Sequence, residues 1–116
     1  MFSLHERTEM LEKALTHVSN TEVGSFDGLL VDFAREREIT LVVKGLRAVS
    51  DYDYELQMAQ MNAALLPGLD TMFVTAKPEW AFLSSSLVKE VSRFGGPVDG
   101  LVPEHVAAAL AAQRGR

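Results

Sequence analysis

ITLVVKGLRAVSDYDYELQMAQMN, residues 39–62, is the stretch whose reading decides the fold. The run from Ile39 to Val43 is β-branched and apolar on both faces, as strands buried in a parallel sheet are. Lys44 and Arg47 follow at once around Gly45, and a capped helix opens at Ser50. In an alternating α/β chain this places positive charge at the carboxyl end of a strand, where open sheets bind their ligands. The expected ligand is an anion, a nucleotide phosphate first among them.

Outward from that stretch, the chain alternates. Ser3 and Glu6 make a capping-box pattern with Phe2 as staple. Leu4, Leu11, Ala14, Leu15 and Val18 recur at helical spacing, which predicts a helix over residues 3–17. Residues 21–24 are read as a short strand. Residues 28–38 are the next predicted helix, burying Leu29, Leu30 and Phe33. The following helix runs from Asp51 to Leu65 and stops near Pro67-Gly68, with Asp51, Asp53 and Glu55 crowding its positive end. Residues 71–75 are a strand, and residues 84–94 a helix ended by Gly95-Gly96. Pro103 belongs to the first turn of a last helix that reaches Gln113. The order α-β-α-β-α-β-α-α predicts an α/β domain with a parallel sheet and right-handed crossovers.

Composition narrows the function classes. The 116 residues carry 47% hydrophobic side chains, enough to fold as one domain. A formal charge of −5 argues against a broad nucleic-acid interface and makes Lys44 and Arg47 a local positive spot, suited to a small phosphorylated ligand. The absence of cysteine excludes disulfides, thiolate metal sites and cysteine nucleophiles. MFSLHERTEM has no apolar core of the kind a signal peptide needs, and no apolar run approaches the ~20 residues of a membrane span. The expectation is a soluble, cytoplasmic chain.

Several groups have both a plain and a functional reading. Lys44 and Arg47 are either solvated loop cations or a phosphate clamp, in which Gly45 lets backbone N–H groups approach and Arg47 grips two oxygens. Ser84, Ser85 and Ser86 are either a helix cap or an anion pocket at a helix N-terminus. Tyr54, Met58, Met61 and Leu65 form one helical stripe, which is either core or an apolar channel for a flexible ligand arm with Asn62 beside it. Trp80 is a core or interface residue, or the cover of a base. His5 and His105 are read as surface residues; with His17 they make no metal or catalytic set. GxxxxGK[ST], GxGxxG and GxSxG are all missing.

Taken together, VVKGLRAVSDYDYELQMAQMN, WAFLSSSLVKEV, SFDGLLVDFA and GGPVDGLVPEHV resemble the bacterial phosphopantetheine adenylyltransferase family over essentially the whole chain. The resemblance implies a Rossmann-like nucleotidyltransferase that moves the adenylyl group of ATP to 4′-phosphopantetheine, giving dephospho-coenzyme A and pyrophosphate with magnesium. It implies ATP contacts at Gly45, Leu46, Arg47 and Glu55 and along Trp80, Ala81, Phe82, Leu83, Ser84, Ser85 and Ser86. Lys44 would meet the acceptor phosphate, with Arg47 supporting the transition state. Leu30, Tyr54, Met58, Met61, Asn62 and Glu90 would line the pantetheine arm. It also implies a homo-oligomer, a hexamer in the family.

The sequence departs from the family at its start. Family members open with a strand and a PGxFDPxxxGH loop whose histidine stabilises the reacting α-phosphate; a second strand and a lysine loop follow. Met1-Phe2 matches the residues just after that lysine, so the first two strands and first helix have no counterpart here. In the family's sheet order, 3-2-1-4-5, they would lie between residues 21–24 and 39–43 and leave a gap of about 14 Å, three strand spacings. The expectation is a start placed at an internal methionine rather than a genuinely truncated product. Little or no turnover is expected from these residues alone. The rival readings are a non-catalytic nucleotide- or coenzyme A-binding or assembly module, and an unrelated flavodoxin-like or receiver domain. The receiver needs an acidic pocket at the strand ends, where this chain has cations.

Overall fold

The charged stretch rests on two parallel strands joined by a helix. The computed structural model describes residues 1–114. The element order is α1 (Leu4–Ala14), α2 (Leu30–Glu36), β1 (Leu41–Leu46), α3 (Val49–Leu65), β2 (Asp70–Thr75), a 3-10 turn at Pro78–Trp80, α4 (Ser85–Arg93) and α5 (Glu104–Arg114). The chain divides into two compact units. Phe26–Phe82 form one; Met1–Ser25 and the chain from Leu83 onward form the other.

In the first unit β1 and β2 pair in parallel, with Leu41 opposite Asp70 and Leu46 opposite Thr75. Parallel neighbours need a crossover, and α3 supplies it. Val31 and Ala34, one helical turn apart on α2, are buried with Leu69, and Ile39, Val42 and Leu66 pack against them. Tyr52 of α3 meets Phe73 of β2 edge-on at 5.9 Å, and Phe26 stacks on Phe33 at 5.0 Å.

The end of α2 explains where β1 begins. The Ile39 N–H donates to the Ala34 carbonyl (2.8 Å) and the Glu38 N–H to the Arg35 carbonyl (3.3 Å). These are the two bonds of a Schellman cap, and Glu38 takes the left-handed position at φ 55°. Ile39 is spent on that cap, so the strand expected at residues 39–43 starts at Leu41. It also runs further, because β2 continues to pair with it: Lys44, Gly45 and Leu46 lie opposite Phe73, Val74 and Thr75.

Four other expectations change. Residues 21–24 join no ladder, since among the described residues the sheet consists of β1 and β2 and a strand needs a neighbour for its backbone groups. β1 is not buried on both faces: Leu41 and Val43 are exposed, Val43 by 59%, as are Met72 and Val74 on β2. The helix expected to open on a Ser50 cap begins at Val49, with Ala48 at the cap position and no side-chain cap bond. Leu29 is likewise exposed rather than buried, because it precedes the first turn of α2.

In the second unit the capping box of α1 forms as read: Ser3 Oγ accepts the Glu6 N–H at 3.1 Å, and Glu6 Oε2 accepts the Ser3 N–H at 2.7 Å. Gly95-Gly96 ends α4 in a full Schellman motif, with Gly95 N–H on Ser92 O, Gly96 N–H on Val91 O, and Gly95 at φ 81°. Pro103 stands just before α5 and accepts the N–H groups of Val106 and Ala107. His105, expected at the surface, is half-buried, and its Nε2–H donates to the Met10 carbonyl at 3.0 Å, tying α5 to α1. Val98 and Leu110 are buried here. Among the described residues no helix is long and apolar enough to cross a membrane.

The two helix ends give opposite predictions. Glu38→Gly relieves an L-residue held at positive φ and should stabilise the protein by about 0.5–1 kcal/mol, net of the entropy glycine adds to the unfolded chain. Gly96→Ala should destabilise it by about 1–3 kcal/mol. A Cβ there would stand 2.7 Å from Val91 Cγ1 and 3.1 Å from the Val91 carbonyl oxygen that Gly96 itself bonds. Urea unfolding midpoints of the two variants against the parent chain check both signs.

Candidate functional site

Lys44 is a strand residue, not the loop residue its position after an apolar run implied. On β1 it shares the half-buried face with Val42 and Leu46, so its side chain runs towards α3. There its Nζ lies 3.4 Å from Glu55 Oε2. Arg47 follows directly after the last strand residue. Asp51 Oδ2 accepts both its backbone N–H (3.2 Å) and its Nε–H (3.1 Å), and Oδ1 accepts from Nη2 at 3.4 Å. Each cation at the end of β1 is thus braced by a carboxylate from α3, and Asp51 and Glu55 are one helical turn apart on the same face.

These contacts tie the turn after β1 to the first turn of α3. Asp51 reaches back past the helix start and accepts the amide just before the cap residue Ala48. The Asp51 carboxyl is held below its ordinary value of 3.8, first by the Arg47 backbone N–H and then by the Arg47 side chain. Sequence reasoning took Asp51 only as a carboxylate suited to the helix dipole. Its spacing of four residues from Arg47 was the signal that could have paired them.

The remaining predicted residues fall into separate groups. Gly45 and Leu46 form the end of β1 beside Arg47. Tyr54, Met61 and Leu65 are exposed, Tyr54 by 63% and Met61 by 58%, while Met58 is half-buried. The stripe is therefore surface rather than core, with Asn62 buried beside it. Leu30 is half-buried at the start of α2. The segment Trp80–Ser86 crosses the point, between Phe82 and Leu83, where one compact unit gives way to the other. Trp80 closes the 3-10 turn, Ala81 is half-buried and Phe82 is exposed.

In the second unit the Ser84 hydroxyl accepts the Leu87 N–H at 3.1 Å, which is the plain capping role. Ser85 and Ser86 are exposed on the first turn of α4, and Glu90 is exposed further along it. A cavity of about 490 Å³ adjoins this turn, lined there by Leu83, Ser84, Ser85, Val88 and Lys89 and across from them by Arg7 and Met10 of α1. Arg7 and Lys89 escaped the sequence reading because they are remote from each other in sequence, although Lys89 lies within the WAFLSSSLVKEV stretch.

Residues 1–91 match the family model described as Cytidylyltransferase-like. The chain belongs to the cytidylyltransferase-like family. It is 54% identical over 110 residues to a phosphopantetheine adenylyltransferase of Synechococcus elongatus, covering 95% of this chain and 66% of that protein. It is 54% identical to the protein of the same name from Streptomyces coelicolor, covering 69% of it, and 47% identical to that of Alkaliphilus oremlandii, covering 70%. The chain thus spans about two thirds of the length of the curated relatives it matches. The fold expected from the sequence, helices with a parallel sheet of the nucleotidyltransferase type, is the fold found.

The depressed Asp51 carboxyl predicts an acid limb. Because the folded value is lower than the unfolded one, the contribution to stability is complete above 3.8 and is lost as pH falls through the lower folded value. The stability advantage of the parent chain over Asp51→Asn should be equal at pH 7 and pH 5. It should shrink below pH 3.8, as urea midpoints measured across that range would show.

Proposed function

We propose that this site serves adenylyl transfer from ATP to 4′-phosphopantetheine, giving dephospho-coenzyme A and pyrophosphate. The observation that carries the reading is the pair of braced cations, Lys44 and Arg47, at the carboxyl end of β1. They stand in a chain 47–54% identical to proteins named phosphopantetheine adenylyltransferase.

In this reaction an oxygen of the acceptor phosphate attacks the α-phosphorus of ATP. A new P–O bond forms, the bond to the β-phosphate oxygen breaks, and pyrophosphate leaves with the electron pair. The acceptor is itself the nucleophile, so the protein has only to align two anions and offset their charge. Lys44 holds the acceptor phosphate. Arg47 holds the triphosphate, helped by the backbone of Gly45 and Leu46, with Glu55 at the same helix face. Trp80, Ala81 and Phe82, of the same compact unit, supply further nucleotide contacts. The stripe of Tyr54, Met58 and Met61, with Leu30 and Asn62, receives the pantetheine arm; the exposure of Tyr54 and Met61 suits a face that a flexible apolar ligand covers.

Among the described residues no group of three or more His, Asp or Glu side chains could hold a metal ion. Magnesium is accordingly proposed to arrive on the triphosphate oxygens, as MgATP. Assembly into a homo-oligomer, the hexamer of the family, belongs to the same proposal; large apolar side chains at the surface, Phe94 the most exposed of them, are consistent with it. A cytoplasmic location suits a reaction that draws on the cell's ATP.

Titration calorimetry tests the reading. MgATP and 4′-phosphopantetheine should each bind. Arg47→Gln should weaken MgATP by about 10- to 100-fold, the worth of a charged hydrogen bond, and leave the acceptor nearly unchanged. Lys44→Gln should do the reverse. No heat with either ligand, or the same loss for both ligands in both variants, would overturn the assignment.

A further inference from the structure

Asp51 is a carboxylate beside a cation that the functional reading gives to a phosphate. Coulomb's law by itself makes such a group an obstacle, since it repels the incoming anion and offsets the arginine's charge. The geometry argues otherwise. Asp51 does not merely lie near Arg47; its two oxygens take three hydrogen bonds from that one residue, two from the guanidinium and one from the main chain. The main-chain bond fixes Asp51 relative to the end of β1, and the guanidinium bonds then fix the plane of Arg47 relative to Asp51. A planar fork recognises phosphate oxygens only in certain orientations, so fixing its plane beforehand removes a search that a free arginine would make on binding.

We propose that Asp51 is a positioning residue for the triphosphate, acting through Arg47 by locking its guanidinium at the carboxyl end of β1. The inference rests on the functional reading above. It adds a member that spacing and family resemblance did not supply. Glu55 differs in kind: it meets Lys44 through one contact at 3.4 Å and makes no main-chain bond to it.

The two roles of Asp51 separate by substitution. Asp51→Asn keeps an oxygen that can accept the Arg47 main-chain N–H, and so keeps that tie between strand end and helix, but it loses the charge that holds the guanidinium. Positioning predicts that MgATP binds this variant about 5- to 20-fold more weakly. Simple charge repulsion predicts tighter binding. The sign therefore decides. In an Arg47→Gln background the same substitution should change MgATP affinity less than twofold, because its effect runs through Arg47; a purely structural role would give the full loss again.

A ligand-free readout keeps this apart from the functional reading. In the parent chain the Arg47 Nε–H proton should give a slowly exchanging NMR signal, and in Asp51→Asn it should exchange like that of an exposed arginine. Rapid exchange in the parent chain, or equal or tighter MgATP binding by the variant, overturns the positioning role. A parent chain with the slow signal but no MgATP binding overturns the adenylyltransferase reading and leaves Asp51 as the residue that orders Arg47.

Discussion

The register of β1 on β2 governs the chemistry that this chain can present. Side chains alternate along a strand, so setting Lys44 opposite Phe73 decides which face of the sheet Lys44 occupies. It shares that face with Val42 and Leu46, and α3 lies against it: Glu55 reaches Lys44 and Tyr52 meets Phe73. A slip by one residue would turn Lys44 to the face where Leu41 and Val43 meet solvent, and would break its pair with Glu55. The apolar contacts that hold the register are modest. Val42 packs against a small core built on Val31, Ala34 and Leu69, and the T-shaped ring pair adds to them. Charge placement at the strand end is thus a consequence of hydrophobic packing a few residues earlier.

Pairing also changes what the positive spot is. Two bare cations at a strand end would attract any anion. Here Lys44 and Arg47 face Glu55 and Asp51, so the four side chains sum to no net charge. Such a cluster discriminates by geometry rather than by field. A ligand has to offer oxygens where the braced donors can meet them, and a diffuse polyanion gains little from a site whose charge is already balanced. The overall charge of −5 points the same way.

Much of this was legible in the sequence where one residue type has one physical use. Gly95-Gly96 could be read as a helix stop because a Schellman motif needs a residue at positive φ, and glycine takes it without strain. Ser3 with Glu6 could be read for the same reason, since the reciprocal bonds need those side chains at that spacing. The matching cap on α2 was hidden because Glu38 takes the left-handed position instead. That in turn put the start of β1 two residues early. The start of α3 was misplaced by a related fault: Ser50 has a cap's chemistry, but the helix opens a residue earlier with Ala48 at the cap position and no side-chain cap bond. The family and the cations were thus readable from local pattern. Their pairing was not, because it depends on how far the strand runs before the helix begins.

The two ion pairs differ in a way that suits the proposed reaction. Arg47 is held by three hydrogen bonds, one to its own main chain, and giving these up would also release the turn between β1 and α3. Lys44 is held by one side-chain contact at 3.4 Å; solvent reaches it as it reaches the Arg47–Asp51 pair, but no main-chain bond adds to it. Exposed pairs of that kind are worth little, about 0–1 kcal/mol, and exchange readily. An acceptor phosphate that has to enter, react and leave as part of a larger product needs a cation it can capture without dismantling a helix. A triphosphate that has to be aligned for in-line attack needs a donor whose plane does not wander. The strand end provides one of each, and the difference traces to four residues: Lys44 and Arg47, three apart on β1 and the turn after it, facing Glu55 and Asp51, four apart on the helix.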